Sequence, residues 1–245
     1  MILQRLATSI RKQDWFTVLI ETLIVVFGVF IGLQLGNWNE ARADAQRETA
    51  YLEALHEDFG QVITELEADI ARYEEIANAM TLLIEQSRMD TPDAPLDELN
   101  EAAARLISME GTPLVSDTYA NLTGSGDLAL LQSQDIKNRL AAFFGQAEVI
   151  QLVSNTHEMQ LVNIFQPYIV DHLDYTLMFR NDRAVPMSAG TDTGRILTAL
   201  ATPELRNVAA VKWDIATDIH GLLVTALEDA QELNARLAKE LERRS

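Results

Sequence analysis

From Trp15 to Leu35 the chain carries one ionisable residue, Glu21, within the run W-F-T-V-L-I-E-T-L-I-V-V-F-G-V-F-I-G-L-Q-L. About 20 mainly apolar helical residues cross the hydrocarbon core of a bilayer, so no other stretch limits the fold as strongly. The expected organisation is a basic cytoplasmic flank at 1–14, a transmembrane helix at 15–36 and an extracytoplasmic helical domain at 37–245. The run says where the chain resides and points to no reaction.

Gly28, Gly32 and Gly36 stand four residues apart inside this span. On a helix such residues form one flat strip that another backbone can approach closely. Glu21, seven residues before Gly28, falls on nearly the same face. A carboxyl group in hydrocarbon is costly and should face protein or water. Small-residue spacings are also common in apolar helices, but the shared face favours a helix–helix contact through Glu21, Gly28, Gly32 and Gly36.

Three basic residues, Arg5, Arg11 and Lys12, precede the span. Only Arg42 and Arg47 follow it closely, diluted by Glu40, Asp44 and Glu48. The positive-inside bias therefore places the N-terminus in the cytoplasm. Ile2, Leu3, Leu6 and Ile10 fit either a short interfacial helix or a plain basic flank. Ala41-Arg42-Ala43 has the form of a cleavage site, but the apolar run exceeds the usual signal-peptide core; a retained signal anchor is expected.

At the outer end of the span, Trp38 can straddle the apolar and wet layers. Gln34, Asn37, Asn39 and Glu40 surround it as a membrane-interface group; an interface anchor is the favoured reading and a docking collar for a partner subunit the alternative. Glu21, Gly28, Gln34, Leu35 and Asn37-Trp38-Asn39-Glu40 together resemble the N-terminal signature of an uncharacterised bacterial family of single-pass membrane proteins. Thr118-Tyr119-Ala120-Asn121-Leu122, Ser125-Gly126-Asp127-Leu128 and the aromatic pair Phe143-Phe144 are similar to a second stretch of that family. The family usually has Tyr at the pair, so a hydroxyl role does not transfer. The resemblance covers about two-thirds of the chain. It implies a membrane-anchored helical domain and no activity; together with the positive-inside orientation, the expected location is a bacterial inner membrane with the bulk of the chain in the periplasm.

A net charge of -18 and a pI near 4.5 argue against nucleic acid as a partner, because phosphate binding needs clustered Lys and Arg. The sequence has no cysteine, which excludes disulfides and thiolate chemistry. Few Gly and Pro among many Ala, Leu and Glu favour helix.

Leu52, Leu55, Phe59, Val62, Leu66, Ile70, Tyr73, Ala77, Met80 and Ile84 suggest a heptad seam with one stutter, on a helix continuing from the membrane to about Met89. Asp90 to Pro95 is a turn. Leu96 to Met109 and a segment near Ser116–Leu122, closed by Gly124, read as shorter helices. Ser133 should cap a long helix with Ile136, Leu140, Phe143, Ala147, Ile150, His157, Leu161 and Ile164 on one face, kinked or divided at Pro167. Met178 to Asp192 is the least regular stretch, and Thr193 to Ala201 could hold a helical turn or two. Thr202-Pro203-Glu204 should open the last helix, with Leu205, Val208, Val211, Ile215, Ile219, Leu222, Ala226, Leu233, Leu237 and Leu241 on its stripe. The expected fold class is all-α: a transmembrane helix continuing into an elongated antiparallel bundle with coiled-coil packing.

Chemistry is sparse. His157-Glu158-Met159-Gln160-Leu161 lacks the second His of a zinc-protease motif. His56, His172 and His220 have no strong ligand spacing, and His157 on an apolar face reads as a hydrogen-bonded core residue. No catalytic residue, cofactor or metal site is assigned, and the chain is not expected to be an enzyme. The favoured function is a membrane-anchored interaction or scaffold protein whose partners are lipid and either itself, as a homo-oligomer, or a subunit of a membrane complex. The alternative is a periplasmic small-ligand sensor signalling through a membrane partner.

Overall fold

The computed structural model describes residues 15–109, 111, 113–178 and 194–244. The flank at 1–14 and nearly all of the irregular 178–192 stretch lie outside the described residues. Every regular element among the described residues is helical. They are α1 (Trp15–Gln86), α2 (Leu96–Ala104), α3 (Asp117–Ser125), α4 (Gln134–Gln160), α5 (Gln166–His172), α6 (Gly194–Leu200) and α7 (Pro203–Glu242). Short 3-10 turns follow α2, α3 and α5, and a π-helical turn, Leu161–Phe165, joins α4 to α5.

The chain divides into two units, residues 1–51 and 52–245. The first is represented by the N-terminal half of α1. Its large apolar side chains from Leu19 to Leu35 are exposed, Ile24 by 66% and Phe27 by 59%. Its best 18-residue window has a mean hydropathy of 2.1 with none of it buried. It is the one helix among the described residues long and apolar enough to cross a membrane.

The second unit is an antiparallel bundle in which α7 packs against α1. Leu52, Leu55, Phe59, Val62, Leu66, Asp69, Tyr73, Ile76, Met80 and Leu83 of α1 are all buried. Their spacing alternates 3 and 4 without interruption, so the stutter expected at Ile70 is absent from this helix. Apolarity pointed to Ile70, but Asp69 occupies the seam, its carboxylate held by the Arg72 guanidinium at 2.7 Å. The seam of α7 is equally regular: Leu205, Ala209, Lys212, Ala216, Ile219, Leu223, Ala226, Ala230, Leu233 and Leu237. The expected stripe was rotated at its start. Val211 is 41% exposed, and Lys212 takes the position that strict heptad spacing requires.

Cross-links fix the directions. Near the start of α4, Arg139 pairs with Glu232 and Arg236 pairs with Asp135, both at 2.8 Å. Near its end His157 meets Lys212, so α4 and α7 are antiparallel. Phe59 packs edge-on against Phe143 at 5.0 Å, and His56 bonds Asn234. Leu99, Ala102 and Ala103 of α2 and Leu122 of α3 are buried in the same core.

Local chemistry sets the ends. α1 stops at Gln86, earlier than expected, because the Gln86 side chain turns the chain: its Oε1 accepts from the backbone N–H of Asp93 and Ala94, and its Nε2 donates to Asp93. Ser116 caps α3 by accepting from the Tyr119 N–H at 3.0 Å. The helix closes at Gly126, not Gly124: Gly126 has φ +83°, a left-handed cap that favours glycine. Ser133 and Thr202 cap α4 and α7 as expected. Pro167 lacks an N–H and its ring opposes the carbonyl four residues back. The helix widens just before it, with the Gln166 N–H donating to the Leu161 carbonyl, five residues back.

Candidate functional site

Two places carry unusual chemistry. The first is the strip expected from sequence. Glu21, Gly28, Gly32 and Gly36 are all exposed on α1. A Cβ built on any of the three glycines meets nothing within 4 Å, so the chain's own packing leaves the strip open. Gln34, Asn37, Trp38, Asn39 and Glu40 are likewise exposed on α1, Trp38 by 60%.

The second is a buried lysine. Lys212 is 0% exposed and His157 is 1% exposed. Lys212 Nζ donates to the Ser108 carbonyl at 2.6 Å and lies 2.8 Å from His157 Nε2. The Phe165 ring covers the ammonium, with its centroid 5.1 Å from Nζ, and His157 packs edge-on against the same ring. Four elements thus converge: α4, α7, the segment after the α2 3-10 turn, and the π-helical turn. π turns of this kind frequently mark functional positions.

Burial dominates the electrostatics. It lowers the Lys212 amine to a pKa of about 7. It also lowers His157 to about 4, with the Lys212 charge adding to the effect. At neutral pH His157 is therefore neutral, and Lys212 is shared between ammonium and amine. When Lys212 donates to Nε2, the imidazole proton sits on Nδ1, which has no hydrogen-bond partner. An unsatisfied buried donor costs about 1–3 kcal/mol. A neutral lysine is a competent nucleophile, but an amine this enclosed meets no substrate. What the arrangement does is tie four elements around one proton.

Sequence reasoning placed His157 in the core and missed Lys212. The available signal was the heptad: counting back from Leu237 in alternating steps of 4 and 3 lands on residue 212. Tyr119 stacks on Phe144 at 4.2 Å and 10°. This contact fastens α3 to α4, and the carboxylate of Asp58 on α1 accepts from Ser116 Oγ and the Thr118 N–H. An open groove between α1 and α2 is lined by Glu75, Asn78, Glu98, Glu101 and Arg105, with Arg105 paired to Glu75 at 2.9 Å. Comparison with protein-family profiles, curated proteins and solved structures yields no match.

Proposed function

We propose that this chain is a membrane-anchored helical interaction protein, a homo-oligomer or an accessory subunit of a membrane complex. Its N-terminus lies in the cytoplasm and its bundle in the periplasm of a bacterial inner membrane. The observation that carries the proposal is the open strip of Gly28, Gly32 and Gly36 on an apolar helix with no protein cover. In lipid, close backbone approach at such a strip is a main source of helix association. Glu21 lies on nearly the same face and finds in the contact a partner that hydrocarbon does not offer. The likeness of 34–40 to an uncharacterised family of single-pass membrane proteins supports the anchoring.

Native mass of the full chain in mild detergent tests this. Gly32→Ile is expected to disrupt assembly without affecting insertion, and Glu21→Leu to weaken it, with Glu21→Gln intermediate. An unchanged mass for Gly32→Ile would make the strip a lipid-facing surface. The open acidic groove between α1 and α2 supports the second reading, a ligand sensor acting through a membrane partner.

A further inference from the structure

Lys212 and His157 are two bases in contact, with no acid between them. Lys212 Nζ and His157 Nε2 stand 2.8 Å apart, a distance at which one must donate and the other accept. The neutral pair meets this condition, and so does the pair with one added proton, carried by either group. With two added protons both nitrogens are donors, and two positive charges face each other in a buried site. Among the described residues no carboxylate pairs with either group. The acids Glu204, Asp214 and Asp218 on α7, Glu148 and Glu158 on α4, and Asp97, Glu98 and Glu101 on α2 are exposed. Arg105, just before Ser108, is paired with Glu75 of α1. The buried titratable groups of α1 within the bundle are Asp69, which binds Arg72, and Tyr73. On α5 Tyr168 and His172 stack on one another, on α6 Arg195 donates to the Asp171 carbonyl, and the π-helical turn has no ionisable residue.

We propose that this contact is an acid-operated latch: a second proton on the pair drives Lys212 and His157 apart and opens the bundle locally, where Ser108, the π-helical turn and α7 meet. Local ties make the opening local. The Ser108 carbonyl is held by the Lys212 amine at 2.6 Å, while its N–H bonds only within its own turn, to the Arg105 carbonyl. His157 Nδ1, without a partner in the closed form, gains water on opening. At the other end of the bundle the ties are pairs of opposite charge, Arg139 with Glu232 and Arg236 with Asp135, which a proton does not weaken until carboxylates titrate. The sign follows from linkage. Burial lowers the basicity of both groups in the closed form, and water restores it in the open form. The open form therefore binds more protons and gains population as pH falls below 6.5, the ordinary imidazole value. The latch does not depend on the membrane-span reading.

Amide hydrogen exchange of the full-length chain in mild detergent, read by mass spectrometry and corrected for the intrinsic pH dependence of exchange, tests the latch. Between pH 7.5 and pH 5.5 the opening constant of peptides covering 105–109 and 157–165 is expected to rise by about tenfold or more. Peptides from the other end of the bundle, 52–59 and 230–237, should keep their protection. His157→Gln retains an acceptor for the Lys212 amine and takes up no proton, so it should lose most of the rise. Lys212→Met, which removes the opposing charge from the other helix, should diminish it as well. No rise in the wild type, a rise shared equally by 52–59 and 230–237, or a rise of wild-type size in either variant would each overturn the proposal.

Discussion

Lys212 is the residue whose placement has the largest energetic consequence. Its pKa falls from 10.5 to about 7 on folding, so between those values the unfolded chain binds more protons than the folded one. Stability then rises with pH from about 7 towards 10.5, by up to about 4 kcal/mol between pH 7 and 10 on linkage arithmetic. His157, lowered from 6.5 to about 4, has the same sign in a different window: stability falls as pH drops from 6.5 to 4. Urea unfolding of the full chain in mild detergent, followed across pH, separates the two. Lys212→Met should flatten the alkaline rise, and His157→Gln the acid fall. An alkaline rise unchanged in Lys212→Met would mean that the amine is not desolvated in the folded protein. Sequence spacing could have placed a lysine in the seam. It could not have supplied the partners, because Ser108, His157 and Phe165 come from elements 47 to 104 positions away and only packing assembles them.

Among the elements, α3 is the sharpest test of local reasoning. Gly124 lies inside the helix and Gly126 caps it with φ +83°. Gly126→Ala should therefore destabilise the fold by about 1 kcal/mol, whereas Gly124→Ala should be neutral or stabilising by about 0.5 kcal/mol. Ser116→Ala removes both the cap and the hydrogen bond to Asp58 and should cost about 1–2 kcal/mol. Thermal or urea midpoints of the three variants check the order, and equal losses at the two glycines would contradict the capping assignment. Both glycines were visible in the sequence. Which one turns the chain depends on where the helix starts, and that is set by Asp58 reaching from α1 to the N-terminus of α3.

At the scale of the whole molecule, the basic flank ahead of the apolar run favours the orientation proposed above. A C-terminal reporter active only outside the cytoplasm should be active, and one active only in the cytoplasm should be silent. The opposite pattern would reverse the topology and move the bundle to the cytoplasm. Much of the architecture was legible beforehand: the helical character of the described residues, one helix long and apolar enough to cross a membrane, the caps at Ser133 and Thr202, and the distortion of the helix before Pro167. These are consequences of hydrogen bonding and apolar spacing within a few residues, so local sequence determines them. Tertiary structure alone decided that Ser108, His157 and Phe165 gather around Lys212, that Tyr119 stacks on Phe144, and that Val149, Leu152 and Met159 of α4 are left exposed. Burial of a charged or aromatic group is stabilised by partners distant in the chain, and no local pattern records which distant residue will arrive.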